Sequence, residues 1–416
     1  MAQIAPFAGI RFDAGSVPDL SAAVAPPYDV LSKDEVAALH AQTPYNVTHL
    51  TRPTSYDEAG RLWNEWRARG VLTQDPAAMY LYRQEYTDPE TGQKMPARSG
   101  LVCALAVEDY ETGAVRPHEN TIAAHRADRL ELMRTTHANL ESIYGLYSDD
   151  TGEALRLLEQ ASESAPVVAR VGEIMGSTHA LQRIDAPDTI AALTRVLEKE
   201  SLLIADGHHR YETALAYRRE RPDEPGSGAI LITLTAFQDE GLLVLPTHRL
   251  VRQVEPEVLA ALPGRLPEAG FDVAPLAEGA APLPPGTLGF DMLLADGSRW
   301  RAVLAAGVDP AEHIGGEMSA AWKSLDVTVL HKLVLEDLVG IPMSTLAGTD
   351  KVRYTRDAAE ARAKVASGEF QAAFLLSRPT LPSIRAVSEA GDRMPQKSTF
   401  FYPKLLSGLV MRSLAG

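Results

Sequence analysis

The run Leu202-Leu-Ile-Ala-Asp-Gly-His-His-Arg-Tyr-Glu-Thr-Ala-Leu-Ala-Tyr constrains the fold of this chain more than any other stretch. Apolar residues from Leu202 to Ala205 run into Asp206-Gly207, and Tyr211, Ala214, Leu215 and Tyr217 then share one helical face, which predicts strand, tight turn and helix. His208, His209 and Arg210 fall in the first helical turn, where four backbone N–H groups lack intrahelical acceptors. Cations there face the positive end of the helix dipole, which is unfavourable by itself and favourable if an anion such as phosphate completes the charge balance. The plainer alternative is a helix capped by Asp206 with surface histidines.

The bulk properties narrow the function. A chain of 416 residues is long enough for two or three domains. Its 45% hydrophobic and 23% charged residues are ordinary for a globular protein. A formal charge of −15 argues against a protein that coats nucleic acid. The lone Cys103 excludes an internal disulfide and a Cys-built metal site, and its apolar surroundings predict a buried, inert thiol. The N-terminus lacks a basic segment followed by an apolar one, and no apolar run reaches transmembrane length; the expectation is a cytoplasmic protein without a membrane partner.

Along the chain, Ala25-Pro-Pro-Tyr-Asp-Val is stiffened by its prolines and should hold Tyr28 and Asp29 in place to meet a substrate. Ser32 and Glu35 form a capping-box signature, and Leu62, Trp63 and Trp66 mark the buried face of a helix closed by Gly70. Strands are expected at 79–86 and 101–107, then a polar loop at Arg116-Pro-His-Glu-Asn-Thr, a helix after Ala127 and a strand at 142–147. Further expectations are two short strands about Gly176, a helix at 189–200, and strands at 229–237 and 242–245. Strands at 291–294 and 300–304 flank an Asp296-Gly297 turn, followed by a helix at 326–339, a strand-turn-helix at 351–364 and a strand at 372–376. Hairpins interleaved with helices indicate α+β rather than a uniform parallel sheet. The expected domains are 1–254, carrying the phosphate site, a small accessory region at 255–320, and a C-terminal α/β segment at 321–416 that completes the site.

Adjacent His208 and His209 diverge on a helix and do not chelate as an i, i+4 pair would. Gln396-Lys-Ser-Thr lacks the preceding glycines of a P-loop, though Lys397 and Lys404 can each serve phosphate as a point charge; solvated lysines are the bland reading. His118-Glu119 is the candidate for acid–base work, with Glu119 accepting a proton from a substrate hydroxyl; a surface ion pair is the alternative.

Ala25-Pro-Pro-Tyr-Asp-Val, His118-Glu119 with Thr121, Asp128-Arg129, Ala205-Asp-Gly-His-His-Arg-Tyr-Glu-Thr-Ala, Pro246-Thr-His-Arg and Met394-Pro-Gln-Lys-Ser-Thr-Phe-Phe-Tyr-Pro-Lys together resemble family 1015 of the domains of unknown function. The resemblance spans nearly the whole chain and implies no activity. More locally, Ile204-Ala-Asp-Gly-His-His-Arg is similar to the signature of the ParB/sulfiredoxin-like superfamily, which binds nucleotide phosphates and includes kinases of free serine. That resemblance implies a ParB/sulfiredoxin-like nucleotide-binding core with a mixed sheet and additional α/β regions. It implies that His208, His209 and Arg210 hold the transferred phosphate, and that Asp206 serves substrate or Mg²⁺. Glu119 as base is this chain's own reading.

The resulting expectation is a small-molecule phosphotransferase acting on the hydroxyl of an amino acid such as free serine, with ATP, ADP or pyrophosphate as donor and Mg²⁺ as cofactor. Glu119, His209 and Asp206 are the catalytic candidates. Gly207, His208, Arg210, His118, Arg249, Lys397 and Lys404 are the phosphate- or nucleotide-binding candidates, and Tyr28 and Asp29 the substrate-binding ones. The alternatives are a non-catalytic nucleotide-binding or regulatory protein and a phosphate-ester hydrolase.

Overall fold

A computed structural model describes residues 1–119 and 123–415, for residues 123–125, 347 and 348 the backbone only. Asn120 and Thr121 of the polar loop therefore lie outside the described residues. The chain divides into two compact units, the first made of Met1–Pro117, Thr121–Leu243 and Pro403–Gly416, the second of His118–Asn120 and Val244–Tyr402. Among the described residues no helix is long and apolar enough to cross a membrane.

The first unit is α+β, built on a mixed sheet of 12 strands. Its spine runs Val115–Pro117, Leu202–Asp206, Ile143–Tyr147, Ala229–Ala236, Arg98–Ala106, Leu72–Tyr86, Phe7–Phe12, Met411–Ser413, Ala138–Asn139. Pro117 is tolerated because its strand is the outermost of that path. Leu202–Asp206 lies parallel to Val115–Pro117 and antiparallel to Ile143–Tyr147, with a register shift between Ile204 and Asp206. Its residues 202–205 are buried, which explains the unbroken apolar run. One core packs Met79, Leu101, Cys103, Ile143, Ile204 and Ile232 together, and burial pushes the Cys103 thiol up and keeps it protonated.

A second core gathers Phe12, Trp63, Trp66, Leu132 and Met411. Trp63 and Trp66 come from the helix Tyr56–Ala68, whose Ser55 side chain accepts from the Glu58 N–H. The capping box at Ser32 is complete, with both of its hydrogen bonds formed. The strand expected at 79–86 extends back to Leu72, because its half-polar first part pairs with Phe7–Phe12.

The second unit is organised by a six-stranded sheet, in the order Phe271–Pro275, Arg299–Leu304, Gly289–Leu294, Ala372–Leu376, His248–Val251, Val352–Thr355. The three strands from 255–320 lie together at one end, and Gly289–Leu294 pairs with Ala372–Leu376, so the expected accessory region and C-terminal segment share one sheet. Residues 403–416 belong instead to the first unit. The helix expected at 326–339 starts as Asp326–Val329 and widens into a π-helix over Leu330–Glu336.

Trp66 is 1% exposed, with its ring 5.9 Å from that of Phe12. Trp66→Ala should cost about 3–5 kcal/mol, seen as a lowered urea midpoint with an unchanged m-value. A midpoint shift equivalent to less than about 1 kcal/mol would show that this core is not cooperative with the sheet.

Candidate functional site

The first unit carries an ionic cluster built around the end of the Leu202–Asp206 strand. The register shift re-aims Asp206 as the chain leaves the sheet. Gly207 then takes φ +92°, and a Cβ there would lie 2.8 Å from Ile143 Cγ2 and 3.1 Å from Arg210 Nε. Only glycine serves both demands. The helix His208–Glu220 follows, with Gly207 as its N-cap and hence no side chain to cap its first turn. Asp206 is not the cap. Its Oδ2 accepts a hydrogen bond from Lys404 Nζ at 2.6 Å, and its Oδ1 lies 3.9 Å from an Arg210 terminal nitrogen.

Lys404 is delivered by the returning segment, which side chains of the sheet hold in place. Gln84 Nε2 donates to the Lys404 carbonyl at 2.9 Å, and Arg98 donates to that of Pro403. The Leu406 N–H donates to the Tyr82 hydroxyl at 3.2 Å, while that hydroxyl donates to His179 Nδ1 at 2.8 Å. Burial lowers His179 to about 4, so it is a neutral acceptor near pH 7. Burial alone would raise the Asp206 carboxyl. The charges of Lys404 and Arg210, the hydrogen bond from Lys404 and the nearby His208 outweigh it and hold Asp206 well below the usual carboxylate range.

Arg210 does not reach outward as expected of a phosphate ligand. It is 9% exposed, and one terminal nitrogen donates to the Ser142 carbonyl at 2.6 Å. Burial lowers its pKa, and Glu141, Asp206, Asp29 and Tyr28 more than restore it. The cations of the helix start are therefore balanced first by internal carboxylates. Its Nε, beside Gly207, is buried without a hydrogen-bond partner among the described residues. His208 is buried and His209 half-buried.

Glu141, which carried no motif, is the hub of this cluster. Its Oε1 accepts from the Tyr28 N–H at 3.1 Å and from Ser407 Oγ at 2.7 Å, and its Oε2 lies 4.0 Å from Arg129. Tyr28 is buried beneath the Arg129 guanidinium, 4.1 Å from its ring centre, and burial pushes the phenol pKa up. Asp29 is exposed and acts on Tyr28 and Arg210 by its charge. The available signal for Glu141 was an acidic residue at the mouth of the apolar Ile143–Tyr147 strand, where a buried carboxylate needs partners.

In the second unit, Glu119 Oε1 accepts from the Lys397 N–H at 3.1 Å, and Lys397 itself is exposed at φ +58°. His118 is 1% exposed, its Nε2 hydrogen-bonded to Thr399 Oγ1 at 2.9 Å. Its ring therefore contacts the 394–399 loop. Arg249 is fully buried, donating to His331 Nε2 at 3.0 Å, to the Lys397 carbonyl at 3.1 Å and to the Thr247 carbonyl. Burial lowers Arg249 to about 10, lowers His331 far below its usual value and raises Asp326 to about 6.

A Mg²⁺ on Asp206 does not fit this arrangement. Its carboxylate already faces Lys404 and Arg210, and a dication would have to displace the ammonium. Among the described residues, no group of three or more His, Cys, Asp or Glu side chains is gathered to hold a metal.

Fold and site define an α+β protein whose Leu202–Asp206 strand, glycine turn and helix carry an ion-paired aspartate. The chain belongs to the family described as Protein of unknown function (DUF1015), whose profile matches residues 4–328. No curated protein matches it. Similar solved structures include a conserved hypothetical protein from Pyrococcus furiosus, 14% identical over 74% of this chain and 92% of that one, with a TM-score of 0.34. They also include a free serine kinase in complex with AMP, 14% identical over 73% and 86%, TM-score 0.34. A third is SbnI with a C-terminal truncation from Staphylococcus aureus, 11% identical over 74% and 85%, TM-score 0.36.

Because Asp206 is held ionised, its stabilising contribution is complete above its unfolded value, about 3.9, and is lost as pH falls through the folded value. Lys404→Met should raise that folded value, move acid destabilisation to higher pH and cost about 3 kcal/mol at pH 7. Urea midpoints between pH 3 and pH 8 test this; superimposable curves for variant and parent would disprove the coupling.

Proposed function

We propose that this chain is a small-molecule phosphotransferase, moving a phosphoryl group from a nucleotide or pyrophosphate to the hydroxyl of an amino acid such as serine or a similar metabolite. The observation that carries the reading is the Gly207 turn: a side-chain-free cap opens a 13-residue helix beside Lys404 and the buried Arg210 Nε, which has no acceptor among the described residues. Such a turn presents backbone N–H groups and the positive helix end to an oxyanion. The local likeness of Ala205-Asp-Gly-His-His-Arg to the free-serine kinases of the ParB/sulfiredoxin-like superfamily supports the same use.

Phosphoryl transfer asks a protein chiefly for positioning and charge neutralisation. In this reading Gly207, His208 and His209 receive the phosphate, and Arg210 and Lys404 fix the field around it. Asp206 keeps Lys404 at the turn. The acceptor oxygen forms a bond to phosphorus as the bridging P–O bond of the donor breaks. The donor leaves with that electron pair, and the hydroxyl proton passes to Glu119, the residue we assign as base.

A second reading, nucleotide binding without transfer, is favoured by one observation. The Glu119 carboxylate already accepts the Lys397 N–H and thereby shapes its own loop. Donor consumption by the intact chain, with ATP, ADP or pyrophosphate against pooled hydroxyl acceptors, separates the two. Glu119→Gln should lower kcat at least a hundredfold and leave donor affinity within a factor of about two. Unchanged kcat in that variant removes Glu119 from the chemistry. Donor binding with no product from any acceptor supports the second reading, and phosphate release without an acceptor indicates hydrolysis.

A further inference from the structure

A cavity of about 530 Å³ opens in the first unit between the start of the Tyr56–Ala68 helix and the Asp128-Arg129 pair. Tyr28, Arg52, Ser55, Tyr56, Asp128 and Arg129 supply its chemistry. Its size suits a metabolite.

Most of its polar groups are already engaged. Arg129 donates through Nε and one terminal nitrogen to Asp128 Oδ2, and through the other to the Thr51 carbonyl at 2.8 Å. Asp128 Oδ1 accepts from the Tyr56 hydroxyl at 2.7 Å. Ser55 Oγ accepts from the Glu58 N–H. These contacts make a stiff wall, with the Tyr28 ring beneath Arg129.

Arg52 differs. Its one side-chain hydrogen bond among the described residues runs from a terminal nitrogen to the Tyr28 carbonyl at 3.0 Å. The rest of its planar fork has no acceptor there, and such a fork matches a carboxylate or phosphate in two parallel bonds. Of the charged side chains that line the cavity two are arginines and one is Asp128, while Glu141 faces Arg129 from outside the lining; the open fork of Arg52 is what favours an anion. The cavity also shares Tyr28 with the Gly207 cluster, since Arg129 and Arg210 both act on that phenol.

We propose that this cavity binds the organic acceptor, and that the acceptor is an anion whose carboxylate or phosphate is read by Arg52. The class is a hydroxy acid or a phosphorylated alcohol. This assignment of the acceptor rests on the phosphotransferase reading, whereas the anion site itself does not.

Calorimetric titration of the intact chain without donor tests the site, using glycerate and glycerol 3-phosphate as probes, with glycerol and inorganic phosphate as partial ones. At least one of the two organic anions should bind, and glycerol should not. The better binder of the two distinguishes a carboxylate from a phosphate preference. Arg52→Gln should weaken that binding about tenfold or more, and Arg52→Lys, which keeps the charge and loses the fork, by less. Arg61→Gln, which removes an equal charge from the exposed face of the Tyr56–Ala68 helix, should leave it unchanged.

Thermal unfolding of each variant verifies folding, and Arg52→Lys stands in if Arg52→Gln does not fold. Absence of binding by every probe, binding indifferent to both Arg52 variants, or inorganic phosphate binding as tightly as the organic anions would overturn the proposal. If the anion binds through Arg52 and no donor supports turnover, the phosphotransferase reading fails and the site stands. If turnover occurs while Arg52→Gln leaves the acceptor KM unchanged, the acceptor assignment fails instead.

Discussion

One buried carboxylate, Glu141, carries the electrostatics of the first unit. Its oxygens take the Tyr28 N–H and the Ser407 hydroxyl and lie near Arg129, while its charge helps keep Arg210 protonated. A carboxylate with so little exposure is tolerable only when hydrogen bonds and opposite charge replace its hydration. Those partners come from four segments distant in sequence. Satisfying Glu141 therefore fixes the proline-held Tyr28 loop, the Asp128-Arg129 pair, the helix after Gly207 and the returning 403–407 segment relative to one another. The Asp206–Lys404 pair depends on the same closure, since Ser407 anchors the segment that brings Lys404.

How far the sequence revealed this follows the range of the interactions. Strand, glycine turn and helix at 202–220 were legible because apolar continuity, a breaker and helical periodicity are local signals. The capping box at Ser32 and the buried tryptophan face were legible for the same reason. Glu141 was not, because its meaning lies in partners that arrive from elsewhere in the chain. The basic turn was read as awaiting an external anion, and local reasoning had no means of seeing that Asp206 and Glu141 already stand against Arg210. Pro-, Gly- and Ala-rich composition at 255–316 suggests an appendage, while its strand Gly289–Leu294 pairs with the later Ala372–Leu376 in one sheet.

The second unit shows how a motif can be legible while its partners are not. Pro246-Thr-His-Arg stands out as a basic motif, but Arg249 is buried against the neutral ring of His331 and two carbonyls. Its pKa falls because water is excluded. The helix carrying His331 widens there into π geometry, which spreads the backbone by a residue and places the ring against the guanidinium. His118 and Glu119 hold the 394–399 loop in the same unit, one through a threonine hydroxyl and the other through a backbone N–H.

The strand Met411–Ser413 lies between Phe7–Phe12 and Ala138–Asn139, so the earliest and latest parts of the chain share one ladder. Loop closure over so long a span is slow relative to local helix and hairpin formation. During synthesis the first 243 residues emerge without that strand and without the ammonium that neutralises Asp206. The intervening 159-odd positions, about a second domain's worth, must pass before either arrives. An unpaired strand edge exposed for that interval invites mispairing with other chains. Nascent protein of this kind thus has a vulnerable window that closes only when its last ladder partner docks.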